Sequence, residues 1–130
     1  MLGSINVTNI KLVIKKMVEQ LTQRQCTACT GDSSPVSEED IKQLKPQIPD
    51  WKIEDENGQL RLVRTYEFSN FKKALAFTQK IGDKAEEEGH HPSLLTEWGK
   101  VTVIWWTHAI NGLHENDFIM AAKTDQIAGD

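Results

Sequence analysis

Residues 86–117 read EEEGHHPSLLTEWGKVTVIWWTHAINGLHEND, and the change of period inside this stretch decides the fold. Upstream of it, Phe71, Ala74, Leu75, Thr78, Ile81 and Ala85 recur at helical spacing and predict a long helix from about Asn70 to Glu88. Gly89 suits the left-handed position that closes such a helix. Beyond the His90-His91-Pro92 corner the pattern switches to period 2. Val101, Val103 and Trp105 share one side, while Thr102, Ile104, Trp106 and His108 share the other. Strands Leu94 to Glu97 and Val101 to His108 are therefore expected to flank a Trp98-Gly99 turn. Trp105 and Trp106 put a large aromatic on each face of the second strand, which favours an oligomer. A last helix is expected from about Glu115 to Ala128, with Phe118, Ile119 and Ala122 on its inner face.

Reading towards the N-terminus, Ser37 precedes Glu38, Glu39 and Asp40, a cap followed by carboxylates at the positive end of a helix. That helix carries Ile41 and Leu44, and Pro46 stops it. Trp51 and Ile53 alternate with polar residues before Asn57-Gly58, a tight hairpin turn. Leu60, Leu62, Tyr66 and Phe68 continue the alternation, so segments 51–56 and 59–68 read as an antiparallel pair. The order is α-β-β-α-β-β-α. Hairpins interleaved with helices predict an α+β domain: a four-stranded antiparallel sheet with three helices packed on one face. The opposite face must be solvated or covered by a second subunit.

Residues 1–36 read as an N-terminal extension and residues 37–130 as the domain. In the extension, Ile10, Val13, Ile14, Met17, Val18 and Leu21 form the stripe of a short amphipathic helix, with Thr8 or Asn9 as its cap. Such a stripe suits docking on its own domain or on a neighbouring subunit. Gln23 to Pro35 lacks apolar periodicity and reads as a linker. It contains Cys26-x-x-Cys29, half of a metal knuckle without a second half, and no βαβ unit that would make the pair thioredoxin-like.

At 130 residues, with 38% hydrophobic and 26% charged side chains, the chain has the length of one globular domain and can bury a core without disulfides. No apolar run approaches the roughly 20 residues of a membrane-spanning helix. Fifteen basic against nineteen acidic residues give a net charge of -4, which argues against nucleic-acid binding as the main task. The start does not resemble a secretory signal, so a cytoplasmic location is expected.

All four histidines lie in the last 41 residues: His90, His91, His108 and His114. The tandem pair follows the negative end of a long helix, and Glu86, Glu87 and Glu88 add carboxylates there. That field suits His90 or His91 to proton donation near neutral pH. Glu86 stands four residues before His90, within reach on a helix. Asp117 falls at the N3 position of a helix capped by His114, where an acidic side chain is stabilising. A zinc site built from the histidines with Glu86 or Asp117 is conceivable, but no H-E-x-x-H or comparable ligand spacing occurs.

These residues together resemble the pterin-4a-carbinolamine dehydratase family. Glu86, His90-His91-Pro92, Trp98, His108 and Asp117 match its signature, E-x3-H-H-P-x5-W-x9-H-x8-D, at every specified position. The likeness runs from about Ser37 to Ala128 and includes Trp51 after Pro49 and Gly112-Leu113 before the last helix. It implies a dehydratase acting on 4a-hydroxytetrahydropterin without a metal or redox cofactor. His90, His91 and His108 would be the catalytic and pterin-binding histidines, with Glu86, Pro92, Trp98 and Asp117 contributing to substrate binding. It further implies coupling to an aromatic amino acid hydroxylase, a homodimer or homotetramer, and no nucleic-acid or membrane partner. The alternative is a non-catalytic oligomerisation or transcription-coactivator module on the same scaffold. Ala109-Ile110-Asn111 lacks the acidic and cysteine residues that some animal members carry there.

Overall fold

The computed structural model of the protein describes residues 21–27 and 34–129. The expected helical stripe from Ile10 to Val18, and Cys29, lie outside the described residues; Leu21, at the end of that stripe, is buried in the core.

Helix α1 spans Glu38–Leu44. The Ser37 hydroxyl accepts from the Asp40 N–H at 3.1 Å, and the Asp40 carboxylate accepts from the Ser37 N–H at 3.3 Å. This reciprocal cap satisfies two donors that the first helical turn would otherwise leave open. Pro46 has no N–H for a further helical bond, so the chain tightens into a 3-10 turn over Lys45–Gln47. Strands β1 (Lys52–Glu56) and β2 (Gln59–Glu67) follow, joined through Asn57 and Gly58. Both turn residues have positive φ, 55° and 85°, as a two-residue hairpin turn demands.

Helix α2 spans Phe71–Glu88, capped by the Asn70 side chain, which accepts from the Lys73 N–H at 2.8 Å. It ends at Gly89 with φ 66°. Strands β3 (Ser93–Glu97) and β4 (Lys100–Trp105) form the second hairpin, and α3 spans Glu115–Gly129. The sheet order is β1-β2-β4-β3, antiparallel at every pairing. The expected α+β order of elements is the observed one.

Register explains where the core sits. Leu62 faces Trp105 and Tyr66 faces Val101 across the central pair, so these side chains share one face. Helices α2 and α3 cover that face with Phe77, Ile81, Ala85, Phe118, Met120 and Ala121, all buried. The opposite face carries Thr65 and Thr102, whose hydroxyls bond at 3.0 Å, and the exposed Leu95.

Two expectations need adjustment. Strand β4 ends at Trp105, and His108 opens a 3-10 turn over His108–Ile110 instead of extending the strand. Thr107 and Gly112 bond each other's backbone at 2.8 and 3.3 Å, and Asn111 takes a left-handed φ of 51°. This closed loop ends the ladder and swings His108 off the sheet. Helix α3 is also more than one-sided, because every residue from Asn116 to Thr124 is buried. The sheet lies on one side of it, while α2 and residues 21–27 pack elsewhere around it. A helix enclosed this way loses its amphipathic signature.

Candidate active site

The corner after α2 is built by Gly89. Its left-handed backbone breaks the helical spacing, so the next two histidines do not follow the helix surface. His90 turns inward and His91 outward. The expected reach of Glu86 to His90 does not occur; Glu86 Oε1 lies 2.5 Å from His91 Nε2 instead. Both partners of that pair are exposed.

His90 Nε2 lies 2.6 Å from Oδ1 of Asp117, whose side chain is fully buried. The other carboxylate oxygen, Oδ2, accepts from the Thr107 hydroxyl at 2.8 Å and from the His114 N–H at 2.9 Å. His114 Nδ1 in turn accepts from the Asn116 N–H at 3.0 Å. The predicted N3 role of Asp117 under a His114 cap therefore holds, and the same carboxylate also orients His90. An ionised carboxylate only accepts, so the proton between the two groups belongs to His90 Nε2. In a neutral ring this contact selects the Nε2–H tautomer and leaves Nδ1 as the acceptor. The ring is held further by stacking on Trp105, with centroids 5.7 Å apart and planes inclined by 8°.

His108 arrives from the other side. Its ring packs 4.3 Å from that of Trp106, and the Arg61 guanidinium lies 4.3 Å over the same indole. Gly89, His90, His91, Trp106, Thr107, His108 and Ala109 line one cleft of about 180 Å³. Three imidazoles thus share a concave surface with an aromatic wall. A larger depression, about 450 Å³ lined by residues including Lys52, Val63 and Arg64, contains no histidine. Among the described residues no group of three His, Cys, Asp or Glu side chains could hold a metal ion. No described helix is long and apolar enough to cross a membrane.

Of the remaining expected positions, Pro92 is half-buried in the connection to β3 and does not line the cleft. Trp98 is 73% exposed at the β3–β4 turn. The hairpin separates it from the histidine corner by five residues, roughly 17 Å of strand, so a single chain does not bring it to the cleft. Trp105 and Thr107 were missed. Both continue the core-facing alternation of Val101 and Val103, and a polar residue in that series was the available sign that something buried needed a hydroxyl.

Known proteins share this fold. The chain matches the family described as pterin 4 alpha carbinolamine dehydratase over residues 34–127. A transcriptional coactivator/pterin dehydratase from Brucella melitensis has a similar crystal structure. It shows TM-score 0.66 and 28% identity, with 74% of this chain and all of that one covered. A pterin dehydratase-like protein that is a RuBisCO assembly factor in the alpha-carboxysome shares the fold. Its TM-score is 0.54 at 22% identity, covering 62% of this chain and 92% of that one. With the match spanning every described element from α1 into α3, and including the histidine corner and its buried aspartate, the chain belongs to the pterin-4a-carbinolamine dehydratase family.

Proposed function

We propose that the protein is a dehydratase that removes water from 4a-hydroxytetrahydropterin to give quinonoid dihydropterin. The observation that carries this reading is the convergence of His90, His91 and His108 on one cleft. Its chemistry needs one proton given and one taken. An acid protonates the C4a hydroxyl, the C4a–O bond breaks and water leaves. The N5 lone pair forms the C4a=N5 double bond as the N5 proton passes to a base. No electrons are exchanged with an external partner. Histidine suits both tasks because its ordinary pKa of roughly 6.5 supplies acid and base near neutrality.

The network around Asp117 supports a division of labour. His90, with its Nε2 proton held by Asp117, offers Nδ1 as the acceptor for N5–H. His91 or His108 supplies the acid for the hydroxyl, and Trp106, packed against His108, lends the cleft an apolar wall. Glu86 acts on His91, and Asp117 acts on His90 from behind the cleft. Pro92 shapes the corner that carries the tandem pair.

The wider reading is a cytoplasmic homo-oligomer that recycles pterin for an aromatic amino acid hydroxylase. Residues 37–130 are its catalytic domain and 1–36 an extension. Phe71, Leu75, Leu95 and Trp98, the exposed large hydrophobics among the described residues, all lie on α2 or the β3 hairpin, and β3 is a sheet edge. Exposed apolar side chains along the β3 hairpin suit burial against a second copy, which is where Trp98 would find a partner. The coactivator named in the Brucella melitensis relative keeps a second reading in view, a binding module without catalysis.

Stopped-flow measurement with freshly generated carbinolamine separates the two. A dehydratase accelerates water loss, and His90→Ala, His91→Ala and His108→Ala each slow it. General acid–base assistance of about 100- to 10,000-fold sets the scale. A parent chain that does not accelerate the reaction overturns the proposal.

A further inference from the structure

Residues 21–27 form a strap that joins the two elements carrying His90 and Asp117. Leu21 anchors it in the core. Arg24 pairs with Glu115, the first residue of α3. The Cys26 N–H donates to Glu88 Oε1 at 3.1 Å, two residues before His90. The Cys26 thiol packs on the Asn116 carbonyl at 3.9 Å. Asn116, 2% exposed, grips the Thr27 backbone twice: Oδ1 accepts from the Thr27 N–H at 3.1 Å, and Nδ2 donates to the Thr27 carbonyl at 2.7 Å.

Glu88 also pairs with Lys123 at 3.3 Å, with side chains 7% and 9% exposed. The strap therefore ties the last turn of α2 to the first turn of α3. His90 and Asp117 stand immediately beyond those two tie points, and their bond of 2.6 Å spans the same gap. The family match begins at residue 34, after the strap.

We infer that Asn116 is a positioning residue: by clamping residues 21–27 across the ends of α2 and α3, it holds Asp117 in register with His90. The inference rests on the proposed dehydration for its kinetic consequence but not for its structural one. Buried amides that pair with a backbone segment in two directions leave it little freedom to slide. Without the clamp, α3 keeps its His114 cap, yet the distance between the two helix ends is set by fewer bonds. Misplacement by about 1 Å in such a constellation costs on the order of a hundredfold in rate.

The test uses the full chain with Asn116→Ala and Asn116→Asp, the latter setting a carboxylate oxygen against the Thr27 carbonyl. The first readout is the NMR signal of the His90 Nε2 proton, recorded without substrate. In the parent it is protected from solvent by Asp117; in both variants its exchange is expected to quicken at least tenfold, while the His91 ring is unchanged. The second is kinetic: kcat about ten- to a hundredfold lower with KM within twofold. If Asn116→Ala does not fold, Asn116→Asp carries both readouts. A parent-like His90 proton in a folded variant overturns the inference, as does a uniform loss confined to KM. A parent chain without dehydratase activity overturns the proposed reaction instead, and the ring proton still decides the strap.

Discussion

Replacing Asp117 by Asn separates the roles of the buried carboxylate. Its side chain is fully enclosed and accepts from His90, Thr107 and the His114 N–H. An asparagine keeps the shape but has one acceptor oxygen. Placing that oxygen at the Oδ2 position preserves the Thr107 and His114 bonds, and so the helix cap. The amide NH2 then meets His90 Nε2, where two donors cannot face each other. The ring must shift its proton to Nδ1 or turn away. Losing one charge-assisted bond costs about 1.5–3 kcal/mol of stability. At the midpoint of that range the melting temperature falls by roughly 8 °C for a domain of this size. The rate effect is larger, because the altered tautomer removes the acceptor at Nδ1; a general base contributes about 100- to 10,000-fold. Stopped-flow dehydration and thermal unfolding on the same preparation measure both. A variant that melts lower but turns over at the parental rate would refute the tautomer argument and leave Asp117 a purely structural cap.

Three further outcomes follow from the same geometry. The Glu86–His91 pair is exposed on both sides, so Glu86→Gln is expected to leave the melting temperature within about a degree of the parent in a calorimetric scan. Burial alone would raise the Glu88 carboxyl, but the Cys26 N–H and Lys123 outweigh it and hold the group below the ordinary glutamate range. Its folded pKa being depressed, its contribution is full above the unfolded value of about 4.3 and is lost as the pH falls through the lower folded value. The stability gap between parent and Glu88→Gln in urea titrations should therefore be widest at pH 6 and close in acid; a gap independent of pH would contradict this. Burial and the hydrogen bond to Asp125 push the Tyr66 hydroxyl far above the usual tyrosine range. Tyr66 is the chain's single tyrosine, so tyrosinate absorbance should appear only as the protein unfolds in alkali, and its stabilising effect is lost as the pH climbs past about 10. A reversible rise near pH 10 with intact circular dichroism would show the hydroxyl to be free.

Local chemistry was enough to read most of the fold from the chain. The Ser37 cap, the Asn57-Gly58 turn, the helix ending at Gly89 and the alternation of Val101, Val103 and Trp105 each express backbone or periodicity rules that act over a few residues. The candidate site was legible as a set of residue types through its family signature, but not as a set of partners. Glu86 stands closer to His90 in sequence, yet bonds His91, because one left-handed glycine redirects the chain. The end of β4 before His108 was hidden for a similar reason: the Thr107–Gly112 closure depends on a loop conformation that alternation does not encode.

Sequence by itself determined the α-β-β-α-β-β-α order, the two hairpins and the histidine-rich corner, since these follow from side-chain period, caps and turns within reach of their neighbours. Tertiary structure alone decided that Asp117 holds His90, that Trp105 lies under the ring, and that residues 21–27 bond to the helix ends beside the site. Those pairings join groups 15 to 89 positions apart in the chain, and a buried polar group finds its partner only when packing has removed water and brought the distant segment within about 3 Å.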